Sequence, residues 1–122
     1  MITMWDTLEH IREPVKCLKK AASLLGPGGD IIIQTPCRGV ISRAYNAEWI
    51  QYQPPYHVHL FDIDSLKLHL DKAGFSVVRW VRFGSGITDS ELEIKPVFDR
   101  VAKEMDIGDT IVIWGQKKKT DE

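Results

Sequence analysis

The sequence predicts an α/β fold: one domain with a mixed sheet of about four strands flanked by helices. Three observations carry that prediction. Strand and helix signals alternate along the chain. Asp30-Ile31-Ile32-Ile33-Gln34-Thr35 is a continuous β-forming run, the pattern of a strand covered on both faces. Between residues 14 and 25, apolar side chains recur at helical spacing, with Pro14 at one end and Gly26 just beyond the other. With 122 residues, 43% of them hydrophobic, the chain can fill one core of ordinary size.

Taken in order, Ile2-Thr3-Met4-Trp5 reads as the inside of a buried strand and Asp6 as the polar residue that ends it. Pro14 suits the first turn of a helix, where a missing N–H costs nothing. Val15, Leu18, Ala22 and Leu25 mark the apolar face, and Gly26 is expected to take the left-handed position before Pro27. Gly28-Gly29 then turn the chain into the strand at 30–35, which Pro36 stops. Strand, helix and strand in this order make a right-handed crossover. From Cys37 to Phe61 the periodicity gives way to aromatic and basic side chains, and a loop of that length in a small domain is usually functional. Asp62 caps a second helix with Ile63, Leu66, Leu70 and Ala73 on its apolar face, and Gly74 ends it. Phe75–Phe83 is a strand whose arginines suit a sheet edge, closed by a turn at Gly84-Ser85-Gly86. Pro96 opens a short helix with Val97, Val101 and Met105 on one side. Gly108-Asp109 then turn into a last strand, Thr110–Trp114, and residues 117–122 read as a frayed tail.

Sixteen basic and seventeen acidic residues give a net charge of -1, so the overall balance calls for neither nucleic acid nor an anionic membrane. Cys17 and Cys37 lack metal-site spacing and read as reduced thiols of a cytoplasmic protein. No apolar run reaches the roughly 20 residues of a membrane span. Gly26-Pro27-Gly28-Gly29 follows a helix and precedes a strand, the wrong order for a phosphate cradle.

Asp6-Thr7-Leu8-Glu9-His10, the Arg12-Glu13-Pro14 that opens a helix, LLGPGGDIIIQTP at 24–36, HVHLF at 57–61 and KAGFSVV at 72–78 follow one another in a telling order. Together they resemble the second half of a class I S-adenosylmethionine-dependent methyltransferase, in the small-molecule branch whose fourth strand ends in an Asp-x-Leu-Glu-His run. The likeness is good over about residues 2–83. It implies a Rossmann-like sheet ordered 3-2-1-4-5-7-6 with the seventh strand antiparallel, and a cofactor across the carboxyl ends of strands one, two and four. Ligand binding where strand order reverses is the general rule for such sheets. The chain carries the equivalents of strands four to seven, so the expected sheet is 4-5-7-6, a partial fold without strands one to three. The glycine-rich loop after the first strand and the acidic residue ending the second have no counterpart in the sequence.

The resemblance places Asp6 and Thr7 at the methionine end of the cofactor, although Asp6 also suits a simple strand end. Glu9 and His10 follow at the cleft rim. An imidazole with an ordinary pKa near 6.5 suits a general base there, and the alternative is that both residues hold the turn by hydrogen bonds. His57 and His59 share a face if their segment is extended, and with His10 they are the candidate catalytic residues. Hydrogen bonding within the loop is the other reading. Two histidines fall short of a metal site and no Cys or acidic pattern nearby completes one, so no metal is expected. Segment 37–61 is the expected substrate lid, with Arg38, Trp49 and Tyr56 as substrate-binding residues. Arg38 and Arg43 suit a carboxylate or phosphate, or are solvated charges.

Two functions follow. The first is the C-terminal part of an S-adenosylmethionine-dependent methyltransferase acting on a small-molecule acceptor, inactive as the chain stands. The second is a non-catalytic methyltransferase-like binding or dimerisation module. Without strands one to three, Ile2–Trp5 presents an unpaired edge, which predicts a homodimer through that strand.

Overall fold

Alternating exposure along the isoleucine run sets the plan of the molecule. In the computed structural model, which describes residues 1–119, the run forms strand β2 (Asp30–Pro36), with Ile31, Ile33 and Thr35 buried and Ile32 and Gln34 only half-buried. Before it stand β1 (Ile2–Trp5), a 3-10 turn at Leu8–His10 and helix α1 (Pro14–Leu24). After it come α2 (Val40–Tyr45), a 3-10 turn at Asn46–Glu48, α3 (Ile63–Lys72), β3 (Phe75–Phe83), α4 (Lys95–Glu104) and β4 (Thr110–Lys117).

The sheet order is β1-β2-β4-β3, which is the 4-5-7-6 order expected. β1 and β2 are parallel, with Ile2 opposite Ile31 and Trp5 opposite Gln34. β4 runs antiparallel to both its neighbours. Leu18, Ala21 and Ala22 of α1 and Leu66, Leu70 and Ala73 of α3 join Ile31, Ile33, Phe75, Ile111 and Ile113 in one core. The two helices also touch each other, so they cover the same face of the sheet. Each large side chain sealed there contributes about 1.5–3 kcal/mol. The expected cover on both faces of residues 30–35 is therefore corrected: Ile32, Gln34, Val112 and Trp114 on the far face remain half-buried. An all-apolar isoleucine run looks the same in sequence whichever face is covered.

Local geometry brings further corrections. Leu25, not Gly26, ends α1, in an extended conformation, and the left-handed residue of the turn is Gly28 with φ 74°. Segment 37–61 is not a plain loop, since it carries α2 and a 3-10 turn. Lys117, assigned by sequence to the tail, closes β4: its amide donates to Gly29 O at 2.7 Å and its Nζ donates to Ala22 O and Leu25 O at the end of α1. Lys118 is tied as well, through its amide to Gly74 O and its Nζ to Asp71. Residues 120–122 of the expected tail lie outside the described residues. The short helix expected from Pro96 is α4; Val97, Val101 and Met105 are exposed there, and Ala102 is the residue it buries. The second helix is capped as expected, its Asp62 carboxylate accepting from Ser65 N at 2.7 Å.

Candidate functional site

The carboxyl ends of β1, β2 and β3 and the start of β4 meet at one end of the sheet, as their registers require. Asp6, just past β1, has φ 52°, a left-handed conformation that aspartate tolerates better than most residues. Its amide donates to Gln34 O at 2.9 Å, and Gln34 Nε2 donates to both its carboxylate oxygens at 3.3 Å. Thr7 Oγ1 donates back to Trp5 O at 3.1 Å. Asp6 and Thr7 are both exposed.

The 3-10 turn that follows drives Leu8 into the core and takes Glu9 with it; Glu9 is only 1% exposed. One carboxylate oxygen, Oε2, accepts from Thr35 Oγ1 at 2.9 Å. The other, Oε1, has no hydrogen-bond partner among the described residues and lies 3.7 Å from His10 Nε2. The Glu9 carbonyl accepts from Val58 N at 2.8 Å and His59 N at 3.0 Å, which fastens the 3-10 turn to the segment carrying the other two histidines.

His10 and His57 come together, with ring centroids 4.9 Å apart in an edge-on arrangement. His10 Nδ1 donates to Tyr56 O, and His57 Nδ1 donates to Gln51 O at 2.6 Å. A carbonyl can only accept, so both neutral rings carry their hydrogen on Nδ1 and keep a lone pair on Nε2. His59 is elsewhere: its Nε2 meets Arg12 O at 3.1 Å and its ring stacks on Phe61, which in turn meets His69. His57 and His59 thus do not share a face. The segment is not extended at His57, whose amide closes a turn onto Gln53 O at 2.9 Å.

Trp49 is 3% exposed, and its Nε1 donates at 2.9 Å to the carboxylate of Asp109, itself 5% exposed. Asp109 also accepts from Cys37 N at 2.7 Å and donates from its amide to Gly84 O. Trp49 therefore bolts segment 37–61 to the start of β4. It also contributes to the wall of a cavity of about 370 Å³ shared with Arg38, Arg43, Tyr52 and Leu60. Arg38 lies 3.7 Å from Asp62. Tyr56 is 73% exposed and does not line this cavity. A larger cavity, about 650 Å³ between β3 and α4, shares no residue with either group.

Hydrogen bonding to Ser65 N, opposed by some burial and aided by Arg38, holds the Asp62 carboxyl below the usual carboxylate range. Hydrogen bonds from Arg82 do the same for Asp106. Burial pushes the Cys37 thiol up, against a smaller opposing pull from Arg82, which disfavours a thiolate nucleophile there. Sequence reasoning did not find the burial of Glu9, its bond to Thr35, or Asp109 as the partner of Trp49. An acidic residue directly after an apolar anchor such as Leu8 was the one available sign.

Residues 1–79 match the model of the family described as methyltransferase domain. No curated protein sequence matches the chain. The fold is similar to a chain in the complex between the Haloferax volcanii Trm112 methyltransferase activator and a methyltransferase, with TM-score 0.66 and 14% identity over 98% of this chain and 54% of that one. It is similar to a SAM-dependent methyltransferase from Thermotoga maritima, with TM-score 0.65 and 23% identity over 95% of this chain and 55% of that one. A third likeness is to an S-adenosylmethionine-dependent methyltransferase from Mesorhizobium loti, with TM-score 0.61 and 16% identity over 95% of this chain and 61% of that one. The chain spans about half the length of the first two of these structures.

Proposed function

The chain belongs to the methyltransferase-domain family, and from that premise we propose that it is the acceptor-side half of an S-adenosylmethionine-dependent methyltransferase acting on a small-molecule acceptor. The observation that carries this reading is the grouping of exposed Asp6 and Thr7 with Glu9, His10 and His57 at the carboxyl end of β1. Ligands of open α/β sheets bind at that end.

The cofactor supplies an electrophilic methyl group on a sulfonium. The Asp6 carboxylate, an acceptor pinned by Gln34 and open to solvent, fits the amino group at the cofactor's methionine end, and Thr7 adds a hydroxyl beside it. No glycine-rich strand-loop-helix is present among this chain's residues to hold the remainder, so the chain alone is proposed to lack turnover. Its contribution is positional, since methyl transfer needs acceptor and methyl in line. The Nε2 lone pairs of His10 and His57 can each take a proton from an acceptor hydroxyl or amine. Arg38, Trp49 and Tyr52 give the 37–61 lid a cationic and aromatic wall. Free Cys17 and Cys37 fit a reducing, cytoplasmic setting. Among the described residues no helix is long and apolar enough to cross a membrane.

Calorimetric titration with S-adenosylhomocysteine tests the reading, on the chain alone and together with a polypeptide that carries the glycine-rich half. Saturable heat only in the second case, weakened by Asp6→Ala, is the expected result. Binding indifferent to Asp6→Ala, or none in either case, refutes it.

A second reading, a dimerisation module, is favoured by one feature. Among the described residues nothing pairs with the outer edge of β1, and Trp5 on that strand is 54% exposed. A sedimentation profile that stays monomeric at high concentration refutes that reading.

A further inference from the structure

We propose that Glu9, His10 and His57 form a binding site for a first-row divalent transition metal, with Zn²⁺ the ion their donor set suits. Binding of the ion does not depend on the chain being a methyltransferase.

One ligand atom from each of the three residues lies within 4.8 Å of the other two. Proximity of this kind is common among surface acids, but Glu9 is not one of them. It is buried to 1% exposure, with Oε1 unpartnered and directed at His10. Buried polar oxygens nearly always have a partner, because an orphaned one forfeits its hydration. At 3.7 Å, His10 Nε2 is too far to supply a hydrogen bond.

The surroundings are those of a ligand set held in place from outside. Each imidazole donates its Nδ1–H to a backbone carbonyl, His10 to Tyr56 and His57 to Gln51, which fixes the tautomer and leaves Nε2 free to coordinate. Glu9 Oε2 is held by the Thr35 hydroxyl, leaving Oε1 to face the histidines. The bonds from Val58 N and His59 N to Glu9 O lock the two contributing segments together. Around tetrahedral zinc, nitrogen and oxygen ligand atoms sit about 3.3–3.6 Å apart. The Glu9–His10 separation of 3.7 Å is already close to that spacing, and His57, with a ligand atom within 4.8 Å of both, completes the set with a small adjustment.

Two neutral nitrogens and one carboxylate favour zinc or a neighbouring transition ion over magnesium or calcium, which prefer all-oxygen shells. Three protein ligands leave a fourth position open, the arrangement of a site that admits water or substrate. A bound ion would engage the lone pairs of His10 and His57, so metal binding and a general-base role are alternatives for these rings. That consequence, unlike binding itself, rests on the methyltransferase reading.

Equilibrium dialysis of the 122-residue chain against Zn²⁺, with Co²⁺ absorption as a second readout, tests the site. The expected result is one ion per chain, with affinity at least about 10-fold weaker in both His10→Ala and His57→Ala and unchanged in His59→Ala. His10 is exposed and His57 lies in a surface segment, so both alanine variants keep the fold and the test stays valid. No saturable uptake, uptake that both alanine variants leave unchanged, or uptake lost equally in His59→Ala overturns the proposal.

Discussion

Replacing Trp49 with phenylalanine isolates the bolt between segment 37–61 and the sheet. Phenylalanine keeps most of the apolar contact but removes the Nε1–H that reaches Asp109 at 2.9 Å, with both residues at or below 5% exposure. A hydrogen bond to a charged, buried acceptor is worth about 1.5–3 kcal/mol. The smaller ring leaves a void of roughly 40 Å³, which adds about 1 kcal/mol. Trp49→Phe should therefore cost about 3 kcal/mol, or about 10 °C in Tm for a domain of this size. Urea unfolding followed by circular dichroism measures the cost. A double-mutant cycle with Asp109→Ala should return a coupling of about 1.5 kcal/mol or more. Amide exchange within residues 46–61 should speed up before global unfolding does. A cost below about 0.5 kcal/mol with no coupling would refute the anchoring role, since a bond to a charged group is worth about 1.5–3 kcal/mol.

Thr35→Val deprives Glu9 Oε2 of its 2.9 Å donor and should cost about 1–3 kcal/mol by chemical denaturation; a neutral result would mean that Glu9 is satisfied by something else. Gly108→Ala would place a methyl 2.3 Å from the Phe83 backbone, where no side chain can yield, and should cost about 3 kcal/mol or more by thermal melting. The carboxyls of Asp62 and Asp106 titrate below the usual range in the folded chain, so the unfolded chain binds protons that the folded one refuses. Stability should then be full above the ordinary carboxylate range and fall as pH drops through and below about 4. Both side chains are nearly half-exposed, so the effect is modest. Asp106→Asn, which tolerates the φ of 55° at that position, should flatten this acid slope; an unchanged slope counts against the Arg82–Asp106 pair as its source.

The order of elements and the helix faces of α1 and α3 were legible because they rest on local spacing, at three and four residues, of side chains that, Val15 apart, reach one core. Sheet order was legible only through the resemblance of several short motifs taken together. What sequence could not disclose depends on distant partners. Glu9 is buried because Thr35, far along the chain, offers it a hydroxyl, and Trp49 is an anchor because Asp109 waits at the start of β4. A shared face for His57 and His59 requires an extended backbone, and the chain turns at His57, so each ring bonds a different carbonyl instead. In α4 the apolar spacing was real but pointed outward, since periodicity identifies a face without saying what lies against it.

The position of β4 has a consequence for how the molecule comes into being. It follows β3 in the chain, yet it sits between β2 and β3 and is, among the described residues, the strand partner of β3. Until it emerges, the growing chain can pair β1 with β2 but has nowhere to seat Phe75–Phe83. Half of the sheet therefore waits on contacts between residues as far apart as Asp30 and Gln116. Such late, long-range closure makes for slow, all-or-none folding and leaves two apolar strands unsheltered in the interim. Cutting the chain after Asp109 would cost two strands and not one, and a pulse of exchange or proteolysis during synthesis should find residues 75–83 open until β4 docks.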